Sequence, residues 1–319
     1  MEITGLMSSL TAGLWGRPVP AIPNISPKEP AEPISTVVPE QTAAEEEAEL
    51  MISRLDSSPE KQTLSTAEWM ASKLPAFLQT NKESLDPDWE FWGEVMANYS
   101  ATIRKSSALF QRHLYKGIPP TIRGLMWQII SCSKSAALEL EYSQYLECSS
   151  RHEKLIECDL SRTYPDHEYF KAGAHGQIAL FNVLKAYSLY DKEIGYVQGL
   201  AFIAGALLLN MPEESAFCVL VRLMKDYAFR ALYTPKMIGV QLLSYQFDQM
   251  MSIQIPTIYA HLRDMDVQSS MYASQWFLTV FAYRFPIDLV FRVYDVIFAE
   301  GCIVLTKVRN RFLNSPWLY

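Results

Sequence analysis

The pattern of apolar and polar residues changes near residue 87, where helical periodicity begins. Trp89, Trp92 and Met96 recur at spacings of three and four, which places them on one face of a helix. A second stripe of the same kind covers 109–114. The Pro119-Pro120 pair then predicts the start of a third helix, because proline is tolerated in the first turn of a helix and disfavoured in its interior.

Further apolar stripes with helical spacing continue to residue 300. They predict helices at 136–146, 152–161, 176–190, 197–210, 213–231, 239–252, 269–284 and 286–300. Gly301 is suited to end the last of these, since glycine readily adopts the left-handed backbone that terminates many helices. Strand signals are weak, with no alternating run of β-branched residues and no Asn-Gly hairpin turn. The sequence therefore predicts an all-α fold built from many short helices.

The first 60 residues have a different character. Prolines recur between residues 17 and 45 among Ala, Glu, Ser and Thr. Such a segment buries too little apolar surface to offset the entropy of ordering, so we predict that residues 1–60 are disordered. The apolar pattern at 61–80 predicts one amphipathic helix, which Pro75 would end early. We thus expect an acidic, Pro-rich leader at 1–60, a helical lead-in at 61–115 and a globular domain at 116–319.

Charge and cysteine content exclude several classes of protein. The formal net charge is −7, and most of it lies in the first 85 residues. The remainder is nearly neutral, which argues against nucleic-acid binding because that function needs a basic face. The five cysteines are widely spaced and form no C-x-x-C pair, which is typical of reduced thiols in a cytoplasmic protein. No signal peptide and no apolar run of the roughly 20 residues that span a bilayer is present, so we predict no transmembrane segment.

The chain carries no recognisable small-molecule site of its own. It has neither a G-x-x-x-x-G-K-[ST] loop nor a G-x-G-x-x-G loop, and it lacks the G-x-S-x-G and H-E-x-x-H motifs. The five histidines are isolated from one another. We therefore predict that the protein binds no metal and no cofactor itself.

Two short polar clusters remain to be explained. In the first, Asp159 and Arg162 are three positions apart and would lie on one face of a helix. The simplest interpretation of this cluster is a surface ion pair that contributes little to stability. In the second, Gln198 stands between Gly195 and Gly199, where the simplest interpretation is a connection between two apolar helices. Spacing alone does not distinguish these interpretations from functional ones.

Together the two clusters resemble the TBC domain of Rab GTPase-activating proteins. The I-x-x-D-x-x-R motif of that family falls on Ile156, Asp159 and Arg162, and its Y-x-Q-G motif falls on Tyr196, Gln198 and Gly199. The opening K-G-I-P…R…W motif matches Gly117, Pro119, Arg123 and Trp127. A W-F…F-P segment follows at 276–286, and an R-x-x-D…E-G segment at 292–301 includes Asp295. The resemblance covers about 116–301 and is nearest in style to the ecotropic viral integration site 5 and yeast Rab-GAP group.

The resemblance implies an activator that completes the active site of a partner rather than an enzyme with its own substrate site. Members of the family insert an arginine and a glutamine into a GTP-loaded Rab-type GTPase and accelerate its GTP hydrolysis. By motif these catalytic residues are Arg162 and Gln198, while GTP and Mg²⁺ belong to the partner. The implied role is control of vesicle transport in the cytoplasm, with peripheral recruitment to endomembranes through the partner.

The neighbouring motif residues acquire roles from the same resemblance. Asp159 would hold the guanidinium group of Arg162 ready, Tyr196 would pack beside Gln198 and touch the partner, and Gly199 would let the partner's backbone approach. Ile156 is a further supporting or partner-contact residue. Gly117, Pro119, Arg123, Trp127 and Asp295 form the structural signature, with Arg123 as a buried charge paired with a carboxylate.

The C-terminus departs from the family pattern. After Gly301 the family continues through further helices, whereas this sequence reaches Pro316 and Tyr319 and stops. We expect a truncated domain with apolar surface exposed along 269–300. A catalytically impaired Rab-binding or scaffold module is therefore the alternative to an active GTPase activator, and an unrelated helical scaffold with accidental motifs is the third hypothesis.

Overall fold

The computed structural model describes residues 87–302 and 304–305 of the chain. The leader predicted at 1–60, the helix predicted at 61–80 and the segment after residue 305 lie outside the described residues. Within them the secondary structure consists of α-helices and short 3-10 turns, with no strand. The prediction of an all-α fold is therefore confirmed.

The helices are numbered here in chain order. Their bounds are α1 Trp89–Ala97, α2 Tyr99–Lys116, α3 Arg123–Ile130, α4 Ala136–Leu146, α5 Glu153–Leu160, α6 His175–Tyr190, α7 Leu200–Leu208, α8 Glu213–Lys225, α9 Arg230–Tyr233, α10 Ile238–Gln254, α11 Pro256–Asp264, α12 Ser269–Leu278 and α13 Ile287–Glu300. Two 3-10 turns, Pro120–Ile122 and Glu168–Phe170, precede α3 and α6.

Local sequence signals account for many helix ends. The side chains of Asp88, Asn98 and Ser135 accept hydrogen bonds from backbone amides in the first turns of α1, α2 and α4. Helix α13 begins directly after Pro286 and ends at Gly301, whose φ is 81°. The predicted helices at 136–146, 176–190 and 286–300 match α4, α6 and α13 to within one residue.

Other predicted boundaries were wrong where the backbone turns into the left-handed region. The helix predicted at 197–210 begins only at Leu200, after Gly199 with φ 108°. The helix predicted at 213–231 divides into α8 and α9 at Ala228, whose φ is 60°. The helix predicted at 269–284 ends at Leu278, because Val280 and Phe281 have φ values of 50° and 65°. Helix α11 was not predicted.

Helices α6 and α7 form the centre of the core. Helix α6 packs against α4, α5, α7 and α8. Every residue of α7 is buried, which agrees with a sequence that is apolar on all sides. Since α7 begins two residues after Gln198, the loop that carries this glutamine leads directly into the most deeply buried helix.

A second buried cluster surrounds Asp295 on α13. The Oδ1 atom of Asp295 accepts a hydrogen bond of 2.8 Å from Nε1 of Trp127 and lies 3.3 Å from Nε of Arg123. Its Oδ2 atom accepts hydrogen bonds from Nη1 of Arg292, at 3.0 Å, and from the backbone amide of Ile118, at 3.3 Å. Burial raises the pKa of Asp295, and the two guanidinium groups counteract this shift. Asp295 therefore joins α13 to the opening motif of the domain.

The remaining residues of the opening motif pack around the same carboxylate. Gly117 has a φ of 122°, and a Cβ atom there would lie 2.5 Å from Nη1 of Arg292. Pro119 is buried and precedes the 3-10 turn that leads into α3. The guanidinium group of Arg123 donates a hydrogen bond of 2.9 Å to the carbonyl of Ile118. Gly117, Pro119 and Arg123 therefore have structural roles at the start of the domain.

The expected exposure of apolar surface along 269–300 holds for only a few residues. Met271 on α12 and Tyr283 after it are exposed. Phe277 and Phe281 are buried, and Trp276 is half-buried. The apolar residues of α13 are buried or half-buried, because this helix packs against α2, α3 and α7. The prediction of a broadly exposed face was therefore wrong for α13.

Candidate functional site

The first part of the candidate site lies at the C-terminal end of α5. Helix α5 ends at Leu160, and Arg162 follows in the turn after it, where its backbone amide donates to the carbonyl of Asp159 at 3.3 Å. The guanidinium group forms an ion pair with Oδ1 of Asp159. The side chain of Asp159 is 6% exposed, whereas that of Arg162 is 46% exposed. The pair thus anchors a solvent-facing arginine to a buried carboxylate across a helix end rather than along a helix face.

Asp159 also binds the second motif. Its Oδ2 atom accepts a hydrogen bond from the hydroxyl group of Tyr196, which lies 37 positions further along the chain. Burial, followed by the proximity of Asp159, raises the pKa of Tyr196, so that the phenol stays protonated and continues to donate. One carboxylate therefore holds both the arginine of the first motif and the tyrosine that precedes Gln198.

Gln198 lies in a loop that is constrained on both sides. Gly195 has a φ of 60°, and any side chain at this position would collide with the ring of His152 at the start of α5. Tyr196 is buried, Gln198 is exposed, and Gly199 is buried again just before α7. The loop therefore presents the amide group of Gln198 to solvent while its neighbours are fixed to the protein.

The structure shows intramolecular contacts for three residues to which the resemblance gave supporting or partner-contact roles. Gly199 is buried, and a Cβ atom there would lie 2.9 Å from the carbonyl oxygen of Leu278. Ile156 is fully buried in the core, and Tyr196 is only 8% exposed. The space beside the α-carbon of Gly199 is thus occupied by this chain, which leaves Arg162 and Gln198 as the solvent-facing residues of the two motifs.

Sequence reasoning missed the residues that hold the turn after Arg162. The hydroxyl group of Thr163 is buried and donates a hydrogen bond of 2.7 Å to the carbonyl of Asp159. Tyr164 has a left-handed φ of 49°, and its hydroxyl group donates to the carbonyl of Phe202 on α7 at 2.8 Å. Nothing in the periodicity of the sequence indicates a left-handed tyrosine, so this link between Arg162 and α7 emerges only from the fold.

The two motifs contribute two exposed polar groups, the guanidinium group of Arg162 and the carboxamide group of Gln198. Within the described residues, no group of three or more His, Cys, Asp and Glu side chains is arranged to hold a metal ion. The five cysteines are all unpaired thiols. No helix in the described part of the chain combines the length and apolarity needed to span a membrane. An exposed guanidinium and an exposed carboxamide on two linked loops are suited to act on a group supplied by another molecule.

Comparison with known proteins connects this geometry to a family. The sequence profile of the family described as "Rab-GTPase-TBC domain" matches residues 120–315. The chain is 41% identical over 231 residues to the human ecotropic viral integration site 5 protein homolog, covering 72% of this chain and 28% of that protein. It is 42% identical over 247 residues to the GTPase-activating protein GYP5 of Eremothecium gossypii, covering 77% of this chain and 29% of that protein.

Solved structures agree with this assignment. The crystal structure of the Chlamydomonas flagellar RabGAP TBC domain superposes with a TM-score of 0.57 at 26% identity, covering 79% of this chain and 83% of that one. The Ypt/Rab-GAP domain of Gyp1p shares the fold at a TM-score of 0.51 and 18% identity, covering 64% of this chain and 75% of that one. This chain spans under a third of the length of the two relatives named above. With the family profile covering most of the described residues, the chain belongs to the Rab-GTPase-TBC domain family.

Proposed function

We propose that this chain is a GTPase-activating protein for a GTP-loaded Rab-type small GTPase, and that Arg162 and Gln198 act on the bound nucleotide of the partner. The observation that carries the proposal is the buried carboxylate of Asp159. It binds the guanidinium group of Arg162 and the hydroxyl group of Tyr196, and so links the two loops that carry exposed polar groups. Membership of the Rab-GTPase-TBC family supports the same function.

The role of Arg162 follows from the charge that develops during phosphoryl transfer. Negative charge spreads over the γ-phosphoryl oxygens and the leaving oxygen, and a guanidinium group inserted from another protein supplies fixed donors and positive charge there. An arginine acting in this way accelerates hydrolysis by about 10³–10⁵. Because Asp159 restrains the guanidinium before docking, less conformational entropy is lost when the complex forms.

The role of Gln198 is to orient the attacking water. Its carboxamide offers both a donor and an acceptor, so it can hold a water molecule without any change in protonation. The flanking residues are fixed by the Asp159–Tyr196 hydrogen bond and by the packing of Gly199 against Leu278. A fixed carboxamide positions the water more effectively than a mobile one, since orientation contributes directly to the rate.

The same proposal assigns GTP and Mg²⁺ to the partner, so that this chain carries no cofactor and no covalent intermediate. It also implies a role in vesicle transport, with the protein in the cytoplasm and recruited to the surface of endomembranes through the Rab.

The test is GTP hydrolysis by a panel of GTP-loaded Rabs with the purified chain, beside Arg162→Ala and Gln198→Ala. Lys154→Ala serves as the control, because Lys154 is an exposed cation in the first turn of α5, at the other end of the helix from Arg162. We expect stimulation that both site variants reduce by orders of magnitude, to a residual rate that can still be measured, and that the control retains. Binding of a GTP-loaded Rab without stimulation would instead identify a non-catalytic Rab-binding module, and the absence of both binding and stimulation would overturn the proposed function.

A further inference from the structure

The loop that carries Gln198 begins at an arginine-bound aspartate. Asp191 follows the last residue of α6, and Arg230 at the start of α9 binds it through two nitrogen atoms on one side of its guanidinium group. Nε donates to Oδ2 at 2.7 Å and Nη2 donates to Oδ1 at 3.0 Å. Nη2 also donates to Glu193 at 2.5 Å. A contact through two hydrogen bonds fixes the relative orientation of the two side chains as well as pairing their charges, because the planar guanidinium group matches the geometry of the carboxylate.

Asp191 in turn shapes the first half of the loop. Its Oδ1 atom accepts a hydrogen bond of 3.3 Å from the amide of Ile194, and its carbonyl accepts one of 2.7 Å from the amide of Gly195. Burial favours the neutral form of Asp191, but the hydrogen bonds from Arg230 and Ile194 outweigh this effect and lower its pKa. The carboxylate therefore stays ionised and keeps Arg230 bound at neutral pH.

The far end of the loop is also held by α9. The hydroxyl group of Tyr233, at the end of α9, donates a hydrogen bond of 2.6 Å to the carbonyl oxygen of Leu278. That same carbonyl lies against the α-carbon of Gly199, next to Gln198. Tyr233 is buried, and α9 spans only four residues. One short helix thus contacts the start of the loop through Arg230 and supports its end through Tyr233.

An ordinary ion pair on the surface of the same protein provides a contrast. Arg222 on α8 and Asp226, the residue directly after α8, form a contact of 2.8 Å with side chains 39% and 49% exposed. The Arg230–Asp191 pair is less accessible, at 33% and 12%, and it joins two elements that are 39 positions apart. Exposed pairs contribute little to stability, whereas a shielded two-point pair between elements restrains their relative position.

We propose that α9 positions the glutamine loop, with Arg230 and Tyr233 as positioning residues that hold Gln198 in its catalytic orientation. This inference rests on the proposed role of Gln198 in GTP hydrolysis. Neither residue needs to touch the partner, because each acts through Asp191 or Leu278 on the backbone that carries the carboxamide.

Single-turnover hydrolysis by a responsive GTP-loaded Rab tests the catalytic part. We expect Arg230→Ala to lower the maximal rate about 10- to 100-fold, the size of effect that a misplacement of roughly 1 Å produces. The concentration for half-maximal stimulation should stay within about twofold, since Arg162 and the docking surface are unchanged. Tyr233→Phe should also lower the maximal rate. Arg230→Lys should give a maximal rate between those of wild type and Arg230→Ala, and Arg222→Ala should have the wild-type rate.

A double-mutant comparison separates positioning from general stability. In a Gln198→Ala background, Arg230→Ala should cause no further loss of rate, because the residue through which it acts is already gone. A similar loss in both backgrounds would show that Arg230 supports the whole fold instead, and would overturn the proposal.

Hydrogen exchange supplies a readout that does not depend on GTP hydrolysis. Amides of residues 192–199 should exchange faster in Arg230→Ala than in wild type, with no such change in Arg222→Ala. Unchanged exchange in this loop would overturn the anchoring role, and faster exchange with an unchanged maximal rate would overturn the catalytic role. If wild type stimulates no Rab, or Gln198→Ala retains full activity, the proposed function itself fails, and the exchange data still decide whether α9 holds the loop.

Discussion

Two arginine–aspartate pairs with the same three-residue spacing occupy very different environments in this molecule. Asp159 and Arg162 lie at the end of α5, and Arg292 and Asp295 lie within α13. Both aspartates are buried, with side chains 6% and 0% exposed. The arginines differ, because the side chain of Arg292 is 5% exposed and that of Arg162 is 46% exposed.

The difference lies in what the guanidinium groups bind. Arg292 also donates to the backbone carbonyls of Leu114 and Tyr115, so its hydrogen-bonding capacity is used inside the protein. Arg162 has its aspartate as the ion-pair partner and otherwise faces solvent. A buried charge needs several partners to offset its lost hydration, whereas an exposed charge held by one carboxylate keeps donors for another molecule. Burial, rather than spacing, separates the structural arginine from the arginine that we propose acts on the partner.

The largest expected effect sharpens this contrast directly. Arg162→Ala should reduce stimulated GTP hydrolysis by about 10³–10⁵. It should lower the urea midpoint of unfolding much less than Arg292→Ala does, because Arg162 is exposed and Asp159 keeps the hydrogen bond from Tyr196. Arg292→Ala should instead lower the unfolding midpoint strongly. Hydrolysis assays and urea titrations on both variants test whether Arg162 serves activity and Arg292 serves stability. A strongly destabilised Arg162→Ala protein with normal activity would contradict this assignment.

The next effect concerns the buried carboxylate itself. Asp295→Ala leaves Arg123 and Arg292 buried without their shared counter-charge, so we expect a loss of about 3–5 kcal/mol in the free energy of unfolding. Chemical denaturation followed by circular dichroism measures this loss. Asp288→Ala, an exposed aspartate in the first turn of the same helix, is the matched control and should cost well under half as much. Equal losses in the two variants would contradict a central role for Asp295.

A smaller effect is expected at the link between the two motifs. Tyr196→Phe removes the hydroxyl group that donates to Asp159 and should lower stimulated hydrolysis about tenfold, since a hydrogen bond to a charged group contributes roughly 1.5–3 kcal/mol. Tyr245→Phe, at an exposed tyrosine on α10, should have no effect. Unimpaired hydrolysis by Tyr196→Phe would show that the two loops act independently of this contact.

The smallest expected effect is a dependence of stability on pH. Burial, and then the neighbouring charge of Arg151, lower the pKa of His152, whose Nε2 atom accepts a hydrogen bond of 3.0 Å from Arg151. The unfolded chain therefore binds a proton more readily, so the contribution of neutral His152 is present above about pH 6.5 and declines as the pH falls below it. Urea midpoints at pH 7.5 and 5.5 should differ less in His152→Gln than in wild type. An identical difference in both proteins would exclude His152 as a source of the pH dependence.

Much of the fold follows from local patterns in the sequence. Helices α4, α6 and α13 were predicted almost residue by residue, because apolar periodicity, Pro286 and Gly301 are local signals. Two of the three boundary errors fall at Ala228 and at Val280 and Phe281, which adopt left-handed backbone conformations that such side chains rarely choose. Only packing against other elements sustains these conformations, so no local signal could have revealed them.

In the candidate site, too, some features could be predicted from the sequence and others depend on tertiary packing. The order of the motifs singled out Arg162 and Gln198, and both residues are exposed in the structure. Gly199 and Ile156, for which the resemblance implied supporting or partner-contact roles, make contacts within the chain. The support from Tyr164, Arg230 and Tyr233 was not foreseen. These supports are hydrogen bonds between residues far apart in the chain, which periodicity cannot register.

The sequence by itself determined the all-α class, most of the helices and the two polar motifs, because these depend on side-chain type and on spacing within a few residues. Tertiary structure alone decided that Asp159 holds Arg162 and Tyr196 together, that Asp295 is enclosed, and that α9 holds both ends of the glutamine loop. The physical reason is that burial and hydrogen-bond partners depend on which distant segments meet. The same Asp–Arg spacing therefore produces a solvent-facing donor at one helix end and a fully enclosed ion pair inside another helix.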